Sequence, residues 1–222
     1  VERSRGLGDV YKRQGLVVCT KKLKSLKIEP YSGIVEAEAG VMLPTLSNSL
    51  AKNGLQGGEW AVGIPGTLGG AIYMNAGTGN LSLAKNLISV KVINNKTHEK
   101  LEIEKKDINF EYRFSSFQRN DLTIISARLH FEPNGNLEQL IQKTKNNLKL
   151  KTETQPYHQP SFGSVFKNPE NNYAAKLIDD MGLKGFKIGG AEISTMHSNF
   201  IINTSSASSK DIYELITVIQ QK

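Results

Sequence analysis

In residues 33–40 (GIVEAEAG) apolar and polar side chains alternate with a period of two, which predicts a strand with one buried face. The period then lengthens. In residues 43–54 (LPTLSNSLAKNG), Leu43, Leu46 and Leu50 share one helical face, Pro44 sits in the first turn and Gly54 closes the segment, so a helix is predicted. Alternation returns in LISVKVINN and KLEIE (residues 87–95 and 100–104), and the turn residues Asn94, Asn95 and Lys96 make the two a predicted hairpin. Residues 121–133 (DLTIISARLHFEP) predict a longer strand ended by Pro133.

A helix is predicted over residues 136–150 (NLEQLIQKTKNNLKL). Asn136 is placed to cap it, and Leu137, Leu140, Ile141, Thr144 and Leu148 line one face. A polar loop follows at residues 152–163. Beyond it the pattern predicts a short helix at residues 173–181, a strand at 199–203 and a last helix from Lys210. That helix buries Ile212, Leu215, Ile216 and Ile219, with Ser208 and Asp211 as a capping box.

Charge and cysteine count narrow the setting. The chain has 222 residues and a net charge of +7. Such a surface suits nucleic acid, membrane headgroups or an anionic small molecule. The lysines are scattered, with no basic block interleaved with aromatics, which argues against nucleic acid, and a phosphorylated small molecule fits the charge as well. No stretch approaches the roughly 20 apolar residues of a membrane span. Cys19 is the only cysteine, so no intramolecular disulfide can form, and a reducing cytoplasm is the simplest setting. Residues 1–14 (VERSRGLGDVYKRQ) show no period and resemble an adapter-like tail, expected to lie outside the fold. The last helical pattern runs to Lys222 without a capping signal, and the chain reads as an internal fragment.

Four stretches carry candidate chemistry. GIPGTLGGAIYMNAGTG (residues 63–79) has glycines at 63, 66, 69, 70, 77 and 79, which permit positive φ and close approach of a ligand. Its N–H groups could cradle a diphosphate, or it could be a tight structural loop. It is neither the dinucleotide fingerprint nor a P-loop. FEYRFSSF (residues 110–117) sets Arg113 among aromatics, either snorkelling on ring faces or held as a cation for a carboxylate. QPSFGSVFKNP (residues 159–169) is not a nucleophile elbow, so Ser164 reads as a proton donor or a turn residue, with Lys167 nearby. In residues 177–203, Asp179 and Asp180 read as a solvated face, and His197, Asn199 and Asn203 as ligand contacts or structural residues. No His, Cys or Asp cluster has metal-ligand spacing, so no metal is expected.

Taken together and in this order, GIPGTLGGAIYMNAG, YR, QPSFGSVFKNP and GLKG…GGAEIS…HSNFIIN resemble the UDP-N-acetylenolpyruvoylglucosamine reductase (UDP-N-acetylmuramate dehydrogenase) family, of its shorter type, over residues 15–222. The resemblance implies an α+β fold. A vanillyl-alcohol-oxidase-type FAD-binding domain, incomplete at its start, would span residues 15–135. A smaller α/β substrate-binding domain would span residues 136–222. It implies a cytoplasmic, monomeric oxidoreductase of peptidoglycan precursor synthesis, without nucleic-acid or membrane partners. FAD would be bound, and NADPH would reduce it so that the enolpyruvyl UDP-sugar could be reduced to UDP-N-acetylmuramate.

By the same resemblance Ser164 is the proton donor and Arg113 the partner of the substrate carboxylate. Gly63, Ile64, Pro65, Gly66, Thr67, Gly69, Gly70, Asn75, Ala76 and Gly77 would line the FAD diphosphate. Tyr112, Gln159, Lys167, Asn168, His197 and Asn199 would lie on the substrate side. The family's further glycine-rich segment and its catalytic glutamate are expected beyond the two ends of this chain, which leaves the fragment without turnover. Two other readings are a non-catalytic module that binds UDP-sugars or nucleotides, and another flavoprotein oxidoreductase of the same fold.

Overall fold

The computed structural model describes residues 18–222. The expected tail at residues 1–14 lies outside the described residues. Two compact units result, one of residues Val18–Lys149 and one containing Leu150–Lys222.

The first unit is built on a five-stranded antiparallel sheet. Its strands are β1 (Leu26–Glu29), β2 (Ile34–Glu38), β5 (Leu87–Asn94), β6 (Lys100–Glu104) and β9 (Leu122–His130), in the order β1-β2-β9-β5-β6. The long predicted strand is therefore the centre of the sheet. The predicted hairpin forms as drawn, with Val90 opposite Ile103 and Val92 opposite Leu101. One face is buried: Val35 and Ala37 from β2, Val90 and Val92 from β5, and Ala127 and Leu129 from β9. The alternation is interrupted twice. The register of β5 against β9 slips between Leu87 and Ser89 and again between Lys91 and Val92. A one-residue slip exchanges the faces, which is why Ile124 and Ala127 both point inward although their spacing is odd.

Between β2 and β5 the chain forms α1 (Leu43–Lys52), α2 (Leu68–Tyr73) and the small hairpin β3 (Gly77–Thr78) with β4 (Leu81–Ser82). Leu43, Leu46, Ser47, Leu50 and Ala51 of α1 are buried, the i, i+3, i+4, i+7, i+8 stripe of a helix lying on a core. Each leucine so removed from water contributes about 1.5–3 kcal/mol. A second small hairpin, β7 (Phe110–Glu111) with β8 (Phe114–Ser115), precedes β9.

The helix predicted from Asn136 is α3 (Leu137–Thr154), and the Asn136 side chain accepts a hydrogen bond from the Gln139 N–H at 3.0 Å. It runs further than expected, into the anticipated loop, because no helix breaker occurs before Pro156. Only Leu140 and Thr144 of its predicted face are fully buried, whereas Leu137 and Leu148 are exposed. The division between the two compact units falls inside this helix, between Lys149 and Leu150.

The second unit has its own four-stranded antiparallel sheet: β10 (Ser161–Ser164), β11 (Lys187–Ile188), β12 (Ala191–Ile193) and β13 (Phe200–Asn203), in the order β10-β13-β12-β11. Helices α4 (Ala174–Asp180) and α5 (Ser209–Gln221) complete it. Ile178, Leu183, Ala191, Ile193, Ile201, Leu215 and Ile219 form its core. Among the described residues, each sheet has its own strands.

The predicted capping box of α5 is present. The Ser208 hydroxyl accepts from the Asp211 N–H at 3.1 Å, and the Asp211 carboxylate accepts from the Ser208 N–H at 3.0 Å. The same carboxylate accepts from the Gly190 N–H at 3.1 Å, so it also ties α5 to the turn before β12. These backbone donors hold the Asp211 carboxyl below its ordinary value.

A depressed folded-state pKa stabilises the fold above the unfolded value of about 3.9 and is lost as pH falls through the lowered folded value. Asp211→Asn is therefore expected to lower the urea midpoint at pH 7. The gap from the native chain should shrink as pH falls below about 4. A gap independent of pH between 7 and 3 would show that the carboxylate charge contributes nothing.

Candidate functional site

The glycine-rich stretch is not one continuous loop. It opens with a buried 3-10 turn, Glu59–Gly63. The buried Glu59 carboxylate accepts from the Gly57 N–H at 3.0 Å and meets the Lys143 ammonium at 3.4 Å. The Trp60 indole donates to the Gly57 carbonyl at 3.0 Å. Then comes α2, which sequence pattern alone does not reveal: six residues, two of them glycine, leave no apolar period to read. Its start is fixed by Thr67, whose hydroxyl caps the Gly70 N–H at 3.5 Å.

The first N–H groups of α2 do not face a ligand. Leu68 donates to the Val41 carbonyl and Gly69 to the Ala39 carbonyl, each at 2.8 Å. Gly69 is a glycine because a Cβ there would lie 2.9 Å from the Ala39 Cβ. Gly66 and Gly79 are different: both have positive φ, and a Cβ on either would meet nothing within 4 Å. The Gly66 N–H has no hydrogen-bond partner among the described residues. Open backbone with positive φ fits the close approach of a phosphate-bearing ligand. Within the stretch expected to cradle a diphosphate, Gly66 and Gly79 are the glycines whose backbone stays open in this way.

Arg113 stands at the tip of the β7–β8 hairpin with φ of 55°. A left-handed conformation at a residue other than Gly, Asn or Asp costs of order 1–3 kcal/mol and persists only where surroundings impose it. Those surroundings are bonds to the far end of α2. The buried Ser115 hydroxyl donates to the Tyr73 carbonyl at 2.7 Å, and the Gln118 amide donates to the same carbonyl at 2.9 Å and to the Arg113 carbonyl at 3.3 Å. Asn75, buried and with φ of 43°, donates to the Glu111 carbonyl at 2.9 Å. Arg113 itself donates to the Gly77 carbonyl at 2.8 Å, and its guanidinium lies 5.0 Å from the Tyr112 ring centroid. The side chain of Asn75, expected along a diphosphate, is therefore engaged in holding the arginine hairpin. Ser115 and Gln118 were not singled out in the sequence. Their only signal was position beside Arg113.

In the second unit Ser164 ends β10. Ser161 pairs with Ile202 but Ser164 with Phe200, so the strand carries one extra residue, and Gly163 takes φ of 86°. A β-bulge of this kind re-aims the side chain beside it. Ser164 is exposed, and its hydroxyl has no hydrogen bond to another described residue. Lys167 and Gln159 are exposed as well.

The asparagines expected to meet substrate hold backbone instead. The Asn168 carbonyl oxygen accepts from the Ala174 N–H at the start of α4, at 3.1 Å. Asn199, 3% exposed, accepts from the Phe166 N–H and donates to the Phe166 carbonyl, both at 2.9 Å. The loop before it is fastened by two buried serines that sequence pattern did not mark. Ser194 accepts from the N–H groups of Met196 and His197, and Ser198 donates to the Ala175 carbonyl. The His197 ring packs edge-on to Phe200, and its Nδ1 is buried with no hydrogen-bond partner among the described residues. Burial lowers its pKa, opposed by its own backbone and aided by the Lys151 and Lys184 charges.

Among the described residues no group of three His, Cys, Asp or Glu could hold a metal ion, and no helix is long and apolar enough to cross a membrane.

Two family models match the chain. Residues 2–99 match the model of an FAD binding domain, and residues 155–222 match that of the UDP-N-acetylenolpyruvoylglucosamine reductase C-terminal domain. The chain is 73% identical over 209 residues to the UDP-N-acetylenolpyruvoylglucosamine reductase of Prochlorococcus marinus subsp. pastoris, covering 94% of this chain and 71% of that protein. It is 44% identical over 206 residues to the reductase of a Synechococcus strain, covering 93% of this chain and 68% of that one. Among solved structures, the crystal structure of UDP-N-acetylenolpyruvylglucosamine reductase from Thermus caldophilus superposes with a TM-score of 0.77 at 34% identity, covering 84% of this chain and 68% of that one.

The glycines separate by experiment. Gly163→Ala places a methyl in open space, so its whole cost is backbone strain, about 1–2 kcal/mol. Gly69→Ala keeps an ordinary φ but presses on Ala39, for which overpacking costs about 1–3 kcal/mol. Replacing Ala39 by Gly in the second variant should recover part of that loss in chemical denaturation, and no second substitution of this kind should rescue the first.

Proposed function

Since the chain belongs to the UDP-N-acetylenolpyruvoylglucosamine reductase family, we propose that it carries out the FAD-dependent, NADPH-using reduction of the enolpyruvyl UDP-sugar to UDP-N-acetylmuramate, with Ser164 as proton donor and Arg113 as the partner of the substrate carboxylate. The carrying observation is the contrast at β10: an exposed hydroxyl with no hydrogen-bond partner among the described residues, on a bulged strand whose following residues are secured by Asn199.

When bound, FAD would supply the redox chemistry, hydride transfer from NADPH to the enolpyruvyl double bond. The open backbone at Gly66 and Gly79 fits its diphosphate, with Thr67 beside it. The residues of this chain handle the charge and the proton that follow. Hydride addition at the carbon beta to the carboxylate leaves enolate charge over the alpha carbon and the carboxylate. Arg113, fixed before substrate arrives by its bond to Gly77, sets a cation against that charge. Because the hairpin is already bolted to α2, little reorganisation is needed as charge develops. The Ser164 O–H then protonates the alpha carbon, and its bulged strand leaves the hydroxyl exposed for that task. Tyr112 beside Arg113, and the exposed Lys167 and Gln159 near Ser164, are the candidates for substrate phosphate and sugar contacts. This chemistry suits a cytoplasmic enzyme, where NADPH and UDP-sugars are available.

Two measurements test the reading. The purified protein is expected to show a visible flavin band that grows on adding FAD, and its absence in the chain extended to its relatives' full length would count against cofactor binding. In that extended protein, Ser164→Ala should leave reduction of the flavin by NADPH unchanged and slow its reoxidation by the enolpyruvyl substrate by ~10²–10⁴. Arg113→Ala should slow the same step. Stopped-flow absorbance separates the two steps. Slower reduction with normal reoxidation in Ser164→Ala would leave Ser164 without its proton-donor role.

A further inference from the structure

We propose that Asn199 is a positioning residue for Ser164 rather than a substrate ligand; the proposal rests on Ser164 being the proton donor. Three observations support it. Asn199 is 3% exposed, so its carboxamide offers no face to a ligand. Both ends of that carboxamide are engaged with the backbone of one residue: Oδ1 accepts from the Phe166 N–H and Nδ2 donates to the Phe166 carbonyl, each at 2.9 Å. The Asn199 backbone carbonyl also accepts from the Val165 N–H at 2.9 Å. Val165 and Phe166 directly follow Ser164, at the point where the regular ladder between β10 and β13 has ended.

The physical need for this clamp comes from the bulge. The extra residue at Phe162–Gly163 directs Ser164 outward but also disrupts the ladder that would hold the strand. A strand released at its end would let the hydroxyl wander. Asn199 imitates a ladder partner with its side chain, since a carboxamide presents one donor and one acceptor spaced like those of a peptide. Bulge and clamp thus make one device. Gly163 turns the serine out, and Asn199 fixes the chain immediately beyond it. Nearby Ser198 and Ser194 anchor the clamp itself, through the Ala175 carbonyl and the N–H groups of Met196 and His197.

The test uses the FAD-loaded protein extended to its relatives' full length, with Ser164→Ala, Asn199→Ala and Asn199→Asp. Hydrogen exchange at the Phe166 amide reads the clamp directly, and stopped-flow flavin absorbance reads the two half-reactions. Asn199→Ala is expected to exchange the Phe166 amide at least about tenfold faster. It should leave NADPH-driven reduction unchanged and slow reoxidation at saturating substrate by about 10- to 100-fold, with little change in KM. Asn199→Asp should protect the Phe166 N–H better but remain slow, because its carboxylate confronts the Phe166 carbonyl oxygen. If Asn199→Ala does not fold, Asn199→Asp carries the same readouts. A raised KM with an unchanged saturating rate would overturn the proposal and make Asn199 a substrate contact. Faster amide exchange with normal reoxidation, while Ser164→Ala is slow, would also overturn it and leave the proton-donor reading standing. Normal reoxidation in Ser164→Ala would instead remove the proton-donor reading, and this proposal with it.

Discussion

The pairing of β9 along both of its edges holds the larger unit together. On one side Val35 and Ala37 lie opposite Leu129 and Ala127, and on the other Val90 lies opposite Ala127. The two flanking strands are far apart in sequence from β9 and from each other, and nothing local brings them together. The loop-closure cost of that arrangement grows only slowly with length, so it can be met by the apolar face the three strands bury together. Everything between β2 and β5 then becomes a loop with its two ends fixed on either side of β9.

That closure decides what the glycine-rich stretch can do. The chain leaving β2 presents the Ala39 and Val41 carbonyls, and the returning α2 docks its first N–H groups on them. A helix N-terminus is commonly a place for an anion, but here it is sealed by the sheet. The glycines accordingly divide by cause. Gly69 answers to close packing, whereas Gly66 and Gly79 answer to backbone conformation in open space. A count of glycines in the sequence cannot separate these causes, because both select against a side chain. At the other end of α2, Tyr73, Asn75 and Gly77 are the points to which the Arg113 hairpin is tied. The open backbone and the arginine therefore share one support.

Legibility followed the strength of periodicity. The stripe of Leu43, Leu46 and Leu50, the hairpin of β5 and β6, and the Ser208 and Asp211 box could all be read directly, because each is decided within a dozen residues. β1, β11 and β12 went unread: strands of two to four residues hold too few positions to show a period. The bulges were equally hidden. They change which face a residue takes through pairing with a distant partner, as at Ile124 and at Ser164, and leave only a glycine or a doubled isoleucine behind.

The sequence marked candidate site residues without sorting them. Motif residues fell into two kinds that look alike in one dimension. Arg113, Ser164 and Lys167 keep polar groups available at exposed or half-buried positions. Asn75, Asn168 and Asn199 have the same chemistry of donors and acceptors but direct it at backbone. The reason is geometric. A reactive side chain held in an unusual path, on a left-handed hairpin tip or a bulged strand, takes its chain out of regular ladders, and the peptide groups so released need partners. Short amides and hydroxyls nearby are the groups able to supply them without adding charge. Residues that build an active site therefore gather around the residues that use it, and the motif contains both. Exposure separates them: the Asn199 carboxamide, closed on the Phe166 backbone at 3% exposure, holds the chain, while the Ser164 hydroxyl at the end of β10 stays exposed.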